Sequence, residues 1–379
     1  MVMDDPTNDT GRDLPRDAPR VIVARRVIEK IRRGALLYPE PETGEAMIGL
    51  VVPQQGRSEP DIYILDTISP GERAVREWGM FEQGDDWQGD VFHWLYVNWE
   101  AFRELRRPSY GNALAAKWDV PLAHVGDWHK QPGDMVAPSG GDAATARRMI
   151  EDHETPIEQL VAPIVTLHPL KPEPVGPAAP AVEGQESAGE AVPQVAGAPP
   201  LPPNAIVLRD EAAGWEVRID FWYMSRRKKK FVPVTPVVWE NERLPGLPPL
   251  AWHLAYPHRF DQEYRLLIDD GYTVDVVRWD ADGRPPYEIC FAVHKEGATH
   301  VLLLITSADY PYERPALRVA PWVSVAEGED QFEQLYAASR PLLLTEMPTW
   351  EWDSKRTLVE LARHYEETEW QAQKKDGGK

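Results

Sequence analysis

One long segment poor in core-forming residues limits the fold of this chain more than any other feature. Residues 167–204 consist mainly of Pro, Ala, Gly and Glu, with few aromatic or large aliphatic side chains. Such a segment cannot bury enough apolar surface to offset the entropy lost on ordering, so we expect an extended linker. The sequence therefore predicts two folded domains, residues 19–166 and 205–372, after a disordered N-terminus of residues 1–18.

Composition and charge narrow the class of protein. The chain has 379 residues, of which 42% are hydrophobic, and this suits two domains with cores of their own. Its net charge of −20 disfavours nucleic acid and anionic membranes as partners. The one basic run, residues 226–230, is interpreted as the solvated tip of a β-hairpin.

Cysteine content and hydropathy favour the cytoplasm. Cys290 is the single cysteine, so an internal disulfide is impossible. The polar N-terminus lacks the apolar core of a signal peptide, and no apolar run is long enough to span a bilayer. We therefore expect a cytoplasmic protein without a membrane partner.

The first half of the chain mixes strand-like and helix-like patterns, which predicts an α/β domain. Apolar, β-branched runs predict strands at MIGLVVP, DIYILD and PLAHVGDWH, and good helix formers predict a helix at DAATARRMIEDH. A further helix carries an aromatic stripe at helical spacing, interpreted as core packing: Phe92, Leu95, Tyr96, Trp99 and Phe102.

Polar residues after the strand PLAHVGDWH form the most informative pattern. His129 and Gln131 should point to the same side, because side chains alternate along a strand. Asp142, in the first turn of the next predicted helix, could fold back towards them. A catalytic zinc keeps three protein ligands and one position for water, whose pKa the metal lowers. The three residues could therefore converge on one ion.

This pattern resembles the JAMM motif of the JAB/MPN family, zinc metallo-isopeptidases that cut bonds to ubiquitin or ubiquitin-like proteins. The family pattern His-x-His-Pro, then Ser-x-x-Asp, is matched in order and spacing by HKQP at 129–132 and SGGD at 139–142. The upstream Glu-Thr-Gly-Gly of the family is matched by ETG at 42–44. The resemblance covers about residues 21–165 and implies a mixed sheet flanked by helices.

The same resemblance implies the role of each site residue. Zinc would be held by His129, Gln131 and Asp142, with Glu42 as general acid/base and Ser139 stabilising the oxyanion. Gln131 stands where the family has its second histidine, and an amide oxygen is a weaker, neutral zinc ligand. An active site and an empty one therefore both remain open.

Each motif also has a simpler interpretation. Ser139 and Asp142 form an ordinary helix N-cap pattern, and a lone histidine is more often structural than a ligand. Glu45 replaces the second glycine of the family pattern and would add bulk and charge. His124 lies an odd number of residues from His129, so it should face the other way on a strand.

The second half predicts an α+β domain with an antiparallel β-meander. The predicted elements are a hairpin of WEVRIDFWYM with FVPVTPVVW, a helix at RFDQEYRLLIDDG, a hairpin of YTVDVVRW with YEICFAVH, a strand at THVLLLIT and a C-terminal helix at SKRTLVELARHYEETEW. The bend YPYERP at 310–315 resembles the Tyr-Pro segment of ubiquitin-conjugating enzymes, and the resemblance covers about residues 255–370.

The catalytic cysteine of that second family is missing. A conjugating enzyme needs a thiolate downstream of the bend, whereas Cys290 lies upstream, among apolar neighbours typical of a buried core thiol. This half therefore resembles the catalytically silent variants, which bind ubiquitin-like proteins or conjugating partners.

Two functions follow as expectations. The first is a zinc-dependent isopeptidase acting on a ubiquitin-like protein or its conjugates, with a partner-binding C-terminal domain. The alternative is an inactive scaffold that binds a ubiquitin-like protein or its activating or conjugating enzymes.

Overall fold

The chain contains a mixed sheet and a separate antiparallel sheet. The computed structural model describes residues 18–106, 116–152, 157–170, 200–279, 286–323, 328–342 and 350–376. The strands are β1 (Arg20–Ala24), β2 (Thr43–Val52), β3 (Asp61–Ile68), β4 (Val75–Glu77), β5 (Met80–Glu82), β6 (Leu122–Lys130), β7 (Gln159–Pro169), β8 (Ala205–Asp210), β9 (Trp215–Ser225), β10 (Val232–Pro233), β11 (Pro236–Trp239), β12 (Tyr272–Trp279), β13 (Glu288–Lys295), β14 (His300–Thr306), β15 (Ala316–Pro321) and β16 (Arg340–Pro341).

The α-helices are α1 (Arg25–Leu37), α2 (Asp86–Arg106), α3 (Gly140–Glu151), α4 (Trp252–Ala255), α5 (Pro257–Asp269), α6 (Gln331–Ala338) and α7 (Leu358–Asp376), with a 3₁₀ turn at Asn241–Arg243. Four of the described α-helices, α2, α3, α5 and α7, overlap helices that the sequence patterns predict, whereas α4 and α6 do not. No helix within the described ranges is long and apolar enough to cross a membrane.

Contacts divide the chain into two units, and the division differs from the predicted one at residues 167–204. Unit 1 comprises Met1–Gln88 with Val120–Gly246, and unit 2 comprises Gly89–Asp119 with Leu247–Lys379. The physical reason is strand pairing across the predicted linker, since β7 pairs along its whole length with β9. The predicted linker also loses its first residues to β7, which ends at Pro169; residues 171–199 and 1–17 lie outside the described residues.

The mixed sheet of unit 1 runs in the order β10-β9-β7-β6-β2-β3-β1-β11, with β8 also paired to β9. β6 and β7 are parallel and α3 connects them, whereas β2 is antiparallel to both β3 and β6. Helix α3 buries Ala146 and Ile150 against Leu160 and Ala162 of β7. The mixed sheet predicted for the N-terminal half is therefore present, but strands from both sides of residues 167–204 build it.

One predicted hairpin is only half correct. The segment FVPVTPVVW was expected to pair as a whole with WEVRIDFWYM, which is β9. Only Val232 and Pro233 pair with β9, and the chain then leaves this partner. Its second part, β11, pairs in parallel with β1 at the other edge of the sheet. Prolines at 233 and 236 interrupt the segment, because proline cannot donate a ladder hydrogen bond.

The five-stranded sheet of unit 2 is the predicted antiparallel meander, in the order β12-β13-β14-β15-β16. One face buries Cys290 and Ala292 of β13 against Phe332 and Leu335 of α6. Trp252 of α4 stacks near Phe291, the next residue along β13, so it packs on the opposite face. Residues 280–285, which connect the two strands of the predicted hairpin β12–β13, lie outside the described residues.

The aromatic stripe of α2 belongs to unit 2 and is buried only in part. Leu95 and Trp99 are buried, whereas Phe92, Tyr96 and Phe102 are half-buried; Trp94, outside the predicted stripe, is almost fully buried. The Trp94 indole donates to the carbonyl of Pro249, and Asn98 Oδ1 accepts from the amide of Tyr287. These bonds join α2 to residues far along the chain.

Candidate active site

A polar cluster lies where β6 ends and α3 begins. His129 is near the end of β6, Gln131 directly follows that strand, and Asp142 is in the first turn of α3. His129 pairs with Ile164 of the parallel strand β7, so it lies on the face of the sheet that α3 covers. The connection between two parallel strands thus brings a strand end to a helix N-terminus, a common position for binding sites.

The side chains of His129, Gln131 and Asp142, called the donor triad below, are in mutual contact. Gln131 Nε2 is 3.1 Å from His129 Nε2 and donates to Asp142 Oδ2 at 2.9 Å. His129 Nε2 is 3.5 Å from Asp142 Oδ1. The structure therefore brings together the three residues that the sequence predicts as ligands.

Ser139 and Asp142 form the N-terminal cap of α3. The amide of Asp142 donates to Ser139 Oγ at 3.2 Å, and the amide of Ser139 donates to Asp142 Oδ2 at 2.6 Å. This reciprocal capping box satisfies two backbone donors at the helix end. The simpler N-cap interpretation is thus correct, and the cap also holds the Asp142 carboxylate next to His129 and Gln131.

Neighbouring charges and burial shift the protonation of both carboxylates. Burial would raise the pKa of Asp142, but His129 and the bonds from Ser139 outweigh it and hold that pKa well below the ordinary value. Burial raises the pKa of Glu42; the charge of His129 opposes this shift and the charge of Asp142 adds to it. Glu42 is therefore electrostatically coupled to the triad and retains a proton to higher pH than an exposed glutamate.

The backbone around Glu42 is held by hairpin β4–β5. The amide of Glu42 donates to the carbonyl of Glu77 at 2.9 Å. A Cβ at Gly44, which pairs with His129, would lie 2.8 Å from the ring of Phe81. The sequence patterns above do not include this hairpin, although Gly79 at its turn, with φ of 82°, is a turn signal.

Other polar residues near the motif lie elsewhere. Glu45 accepts from the indole of Trp128 and from Ser69, on the face opposite His129, so it does not crowd the site. His124 Nε2 lies 3.0 Å from Asp127 Oδ1. Asp134 is exposed and lies 3.4 Å from His168.

The donor triad offers a metal three atoms only if the amide of Gln131 is turned. In the described part of the chain no group of three or more His, Cys, Asp or Glu residues converges to hold a metal. Gln131 is the side chain that contacts both His129 and Asp142. Its Oε1 is buried without a hydrogen-bond partner in the described residues. Half a turn of the amide would exchange Oε1 and Nε2 and place the oxygen between His129 and Asp142.

The spacing of the triad suits zinc after that rotation. Ligand atoms about 2.0–2.1 Å from a tetrahedral zinc stand roughly 3.3 Å apart. The observed separations are 3.1 Å, 2.9 Å and 3.5 Å. Imidazole and carboxylate are ordinary zinc ligands and an amide oxygen is a weak one, so this donor set fits zinc only with Gln131 Oε1 as the third ligand.

Comparisons with known proteins add no family assignment. No protein-family model matches the chain, and no curated protein matches it.

Proposed function

We propose that unit 1 is a JAB/MPN-like zinc-dependent isopeptidase that acts on a ubiquitin-like protein or its conjugates. The observation that carries this proposal is the donor triad, whose three side chains lie within 3.5 Å of one another at the start of α3. Four residues expected from the JAMM motif, Glu42, His129, Ser139 and Asp142, belong to this region or are coupled to it. Such a convergence is not required by an N-cap alone.

Each residue has a chemical task in this proposal. His129 Nε2, Gln131 Oε1 and a carboxylate oxygen of Asp142 would hold the metal, which supplies an acidic water and polarises the scissile carbonyl. Glu42, with its raised pKa, accepts a proton from the attacking water and returns it to the leaving amine. Ser139 Oγ accepts one hydrogen bond from the backbone, and its own hydrogen can be donated to the oxyanion.

Unit 2 would act as the partner-binding module. Its order of helix α5, strands β12–β14, Tyr-Pro bend, strand β15 and helix α7 supports a likeness to ubiquitin-conjugating enzymes. Cys290 is fully buried at the centre of β13, and burial raises the pKa of its thiol far above the ordinary value. Because a thiolate is needed for transfer, this unit would bind a modifier or its enzymes without forming a thioester.

A second candidate function is an inactive scaffold in the same pathway. It is favoured by the orientation of Gln131, whose amide nitrogen lies within hydrogen-bonding distance of both His129 and Asp142. These bonds satisfy the two strongest ligands without a metal. In that case both units would bind partners and neither would catalyse.

Zinc content separates the two functions. We would measure zinc per chain after dialysis against zinc, followed by cleavage of ubiquitin-like fusion proteins. The variants are His129→Ala and Gln131→His, with His93→Ala, an exposed histidine of unit 2, as the matched control. The isopeptidase predicts about one zinc in wild type and in the control, lost in His129→Ala.

The scaffold predicts a different pattern. Wild type would hold no zinc and cleave nothing, whereas Gln131→His would gain the metal. Absence of zinc from both wild type and Gln131→His would contradict a metal site at this position altogether.

A further inference from the structure

A cavity in unit 2 lies beside the core between α6 and the five-stranded sheet. Its volume is about 330 Å³, within the roughly 300–1,000 Å³ range of ligand sites. The residues that line it and are not buried, so that a ligand can contact them, include Glu288, Arg314, Ala316, Arg318, Tyr336 and Pro341. All of them belong to unit 2, whereas the proposed zinc site is in unit 1.

The sequence of the strands explains why a cavity lies at this place. Ala316 and Arg318 are on the same face of β15 as Ala320, which belongs to the core cluster that α6 covers. Glu288 is on the same face of β13 as Cys290, a member of that cluster. Apolar packing therefore gives way here to charged side chains and one short side chain, which leave a space between them.

Arg314 is a cation of this cavity whose charge has no counter-charge. Within the described ranges its guanidinium has no hydrogen-bond or ion-pair partner, and its Nη1 is fully enclosed by protein. Burial lowers the pKa of Arg314, and no carboxylate of the described residues opposes this shift. The side chain as a whole is partly exposed, so a ligand can reach the rest of the guanidinium. An unpaired, partly buried cation costs stability, and an arginine with a structural role would instead have partners.

A second guanidinium lines the same cavity and is held in place. Arg318 donates through Nε to Ser339 Oγ at 2.6 Å and through Nη2 to the carbonyl of Ser339 at 3.0 Å. Its guanidinium also stacks on the ring of Tyr336, 4.4 Å from the centroid. These partners are uncharged, so they fix the position of Arg318 and leave its positive charge at the cavity.

The charges and the shape of the cavity favour a carboxylate as the ligand. Arg314 and Arg318, together with Glu288, leave one positive charge in excess, which a monoanion would neutralise. The planar guanidinium fork matches a carboxylate through two parallel hydrogen bonds. The cavity is much larger than a single ion, and Tyr336 and Pro341 offer apolar contacts. A ligand that fits therefore carries a small apolar group beside its carboxylate.

We propose that this cavity binds a carboxylate attached to a small apolar group, supplied by a small organic acid or by the carboxyl terminus of a polypeptide. Arg314 would hold the carboxylate through the exposed edge of its guanidinium, and Tyr336 and Pro341 would contact the apolar group. The proposal does not use the zinc site and stands or falls separately from the proposed function.

Fluorine NMR with two probes of the same shape tests the proposal. The full chain is titrated into 4-fluorobenzoate, and into 4-fluorobenzamide as the neutral equivalent. The test variant is Arg314→Met, which removes the charge and keeps an unbranched side chain. The matched control is Arg265→Met, which removes the same charge from an exposed position on α5.

We expect saturable binding of 4-fluorobenzoate by wild type and by the control, and an affinity lower by about tenfold or more in Arg314→Met. The amide should not bind, because it carries no charge. Arg314→Met should melt at the same temperature as wild type or higher, since it loses an unpaired cation.

Several results would contradict a carboxylate site. They are no saturable binding by wild type, equal binding of the amide, and equal loss of affinity in the test and control variants. A clearly lower melting temperature of Arg314→Met would show that this arginine is a structural group. Tighter binding of inorganic phosphate than of 4-fluorobenzoate would assign the cavity to another anion and overturn the proposal.

A peptide competitor distinguishes the two sources of the carboxylate. The dipeptide acetyl-Ala-Phe is added with its carboxyl terminus free or amidated, and displacement of 4-fluorobenzoate is measured. Tighter binding of the free form than of 4-fluorobenzoate would support a polypeptide terminus, and weaker binding would support a small acid. Equal displacement by the amidated form would overturn the proposal, because that form has no carboxylate.

Discussion

His253 is a single residue that we expect to make stability depend on pH. Burial lowers its pKa from 6.5 to about 4; the charge of Arg278 adds to this shift and that of Asp90 opposes it. The unfolded chain therefore binds a proton between about pH 6.5 and 4 that the folded chain does not, so acidification through this range is destabilising. The free energy of unfolding should fall by about 1–2 kcal/mol between pH 7.5 and pH 5 from this residue alone.

Urea denaturation at the two pH values measures this effect. His253→Phe retains an aromatic ring next to Trp94 and Phe260. The centroid of each of these two rings lies 5.7 Å from that of the imidazole. The variant should lose the His253 part of the pH dependence. An identical dependence in wild type and variant would show that other groups cause it.

Gln131 illustrates what could and could not be predicted for a single site residue. Motif spacing alone placed Gln131 with His129 and Asp142, and the structure brings the three together. Spacing carries no information on which end of the amide faces its neighbours, because both orientations have the same shape. With Oε1 facing them Gln131 can be a metal ligand, and with Nε2 facing them it is a hydrogen-bond donor. The sequence therefore could not predict which of these two roles Gln131 has.

At the scale of elements, strand β6 depends on the close approach of β7. Gly126 has φ of 127°, and a Cβ there would lie 1.9 Å from the carbonyl oxygen of Val161. Gly126→Ala should therefore destabilise the protein by at least about 2 kcal/mol and shift β6, which carries His129. Gly140→Ala is the control, because its Cβ would meet nothing within 4 Å. Thermal unfolding of both variants checks this; equal melting temperatures would contradict it.

Three elements of unit 2 meet at one buried carboxylate. Glu263 of α5 accepts from the hydroxyl of Tyr310 at 2.5 Å, from Arg259 at 2.8 Å and from the amide of Leu358, the first residue of α7, at 2.8 Å. Glu263 is fully buried, so Glu263→Gln would leave Arg259 without its charge partner. We expect a loss of about 3 kcal/mol in the free energy of unfolding.

The exposed Asp261 on the same helix supplies the control for this change, as Asp261→Asn. It should alter stability by less than about 0.5 kcal/mol. Similar losses in the two variants would mean that the Glu263 network is not what joins α5, the Tyr-Pro bend and α7.

Most elements could be predicted from periodicity, whereas only some of their pairing partners could. The meander of unit 2 follows the chain order, because neighbouring strands joined by short turns usually pair. The segment FVPVTPVVW divides between β9 and β1, since alternation of apolar residues indicates a strand but not which edge it joins. Helix α2 likewise has a clear aromatic stripe and packs with residues that lie far along the sequence.

At the scale of the whole molecule, the sequence again does not show which strands pair, and this explains why residues 167–204 are predicted to separate two domains. Composition identifies a segment that cannot form a core, and this does not establish that a domain ends there. The pairing of β7 with β9, together with that of β1 with β11, makes unit 1 from residues on both sides of that segment. The segment is therefore an insertion between two strands of one sheet.

Cleavage within that segment tests this organisation. We would insert a specific protease site after Gln185, cut the purified protein, and follow the two fragments by size-exclusion chromatography. The fragments should elute together, because the 11 residues of β7 and their partners in β9 form one continuous ladder, with buried Val161, Val165, Val217 and Phe221 along it. About 6 M urea should separate them, since the ladder and its apolar contacts are lost on unfolding. Two folded fragments that separate without denaturant would mean that each side of the segment forms a domain by itself, and the shared sheet would then be wrong.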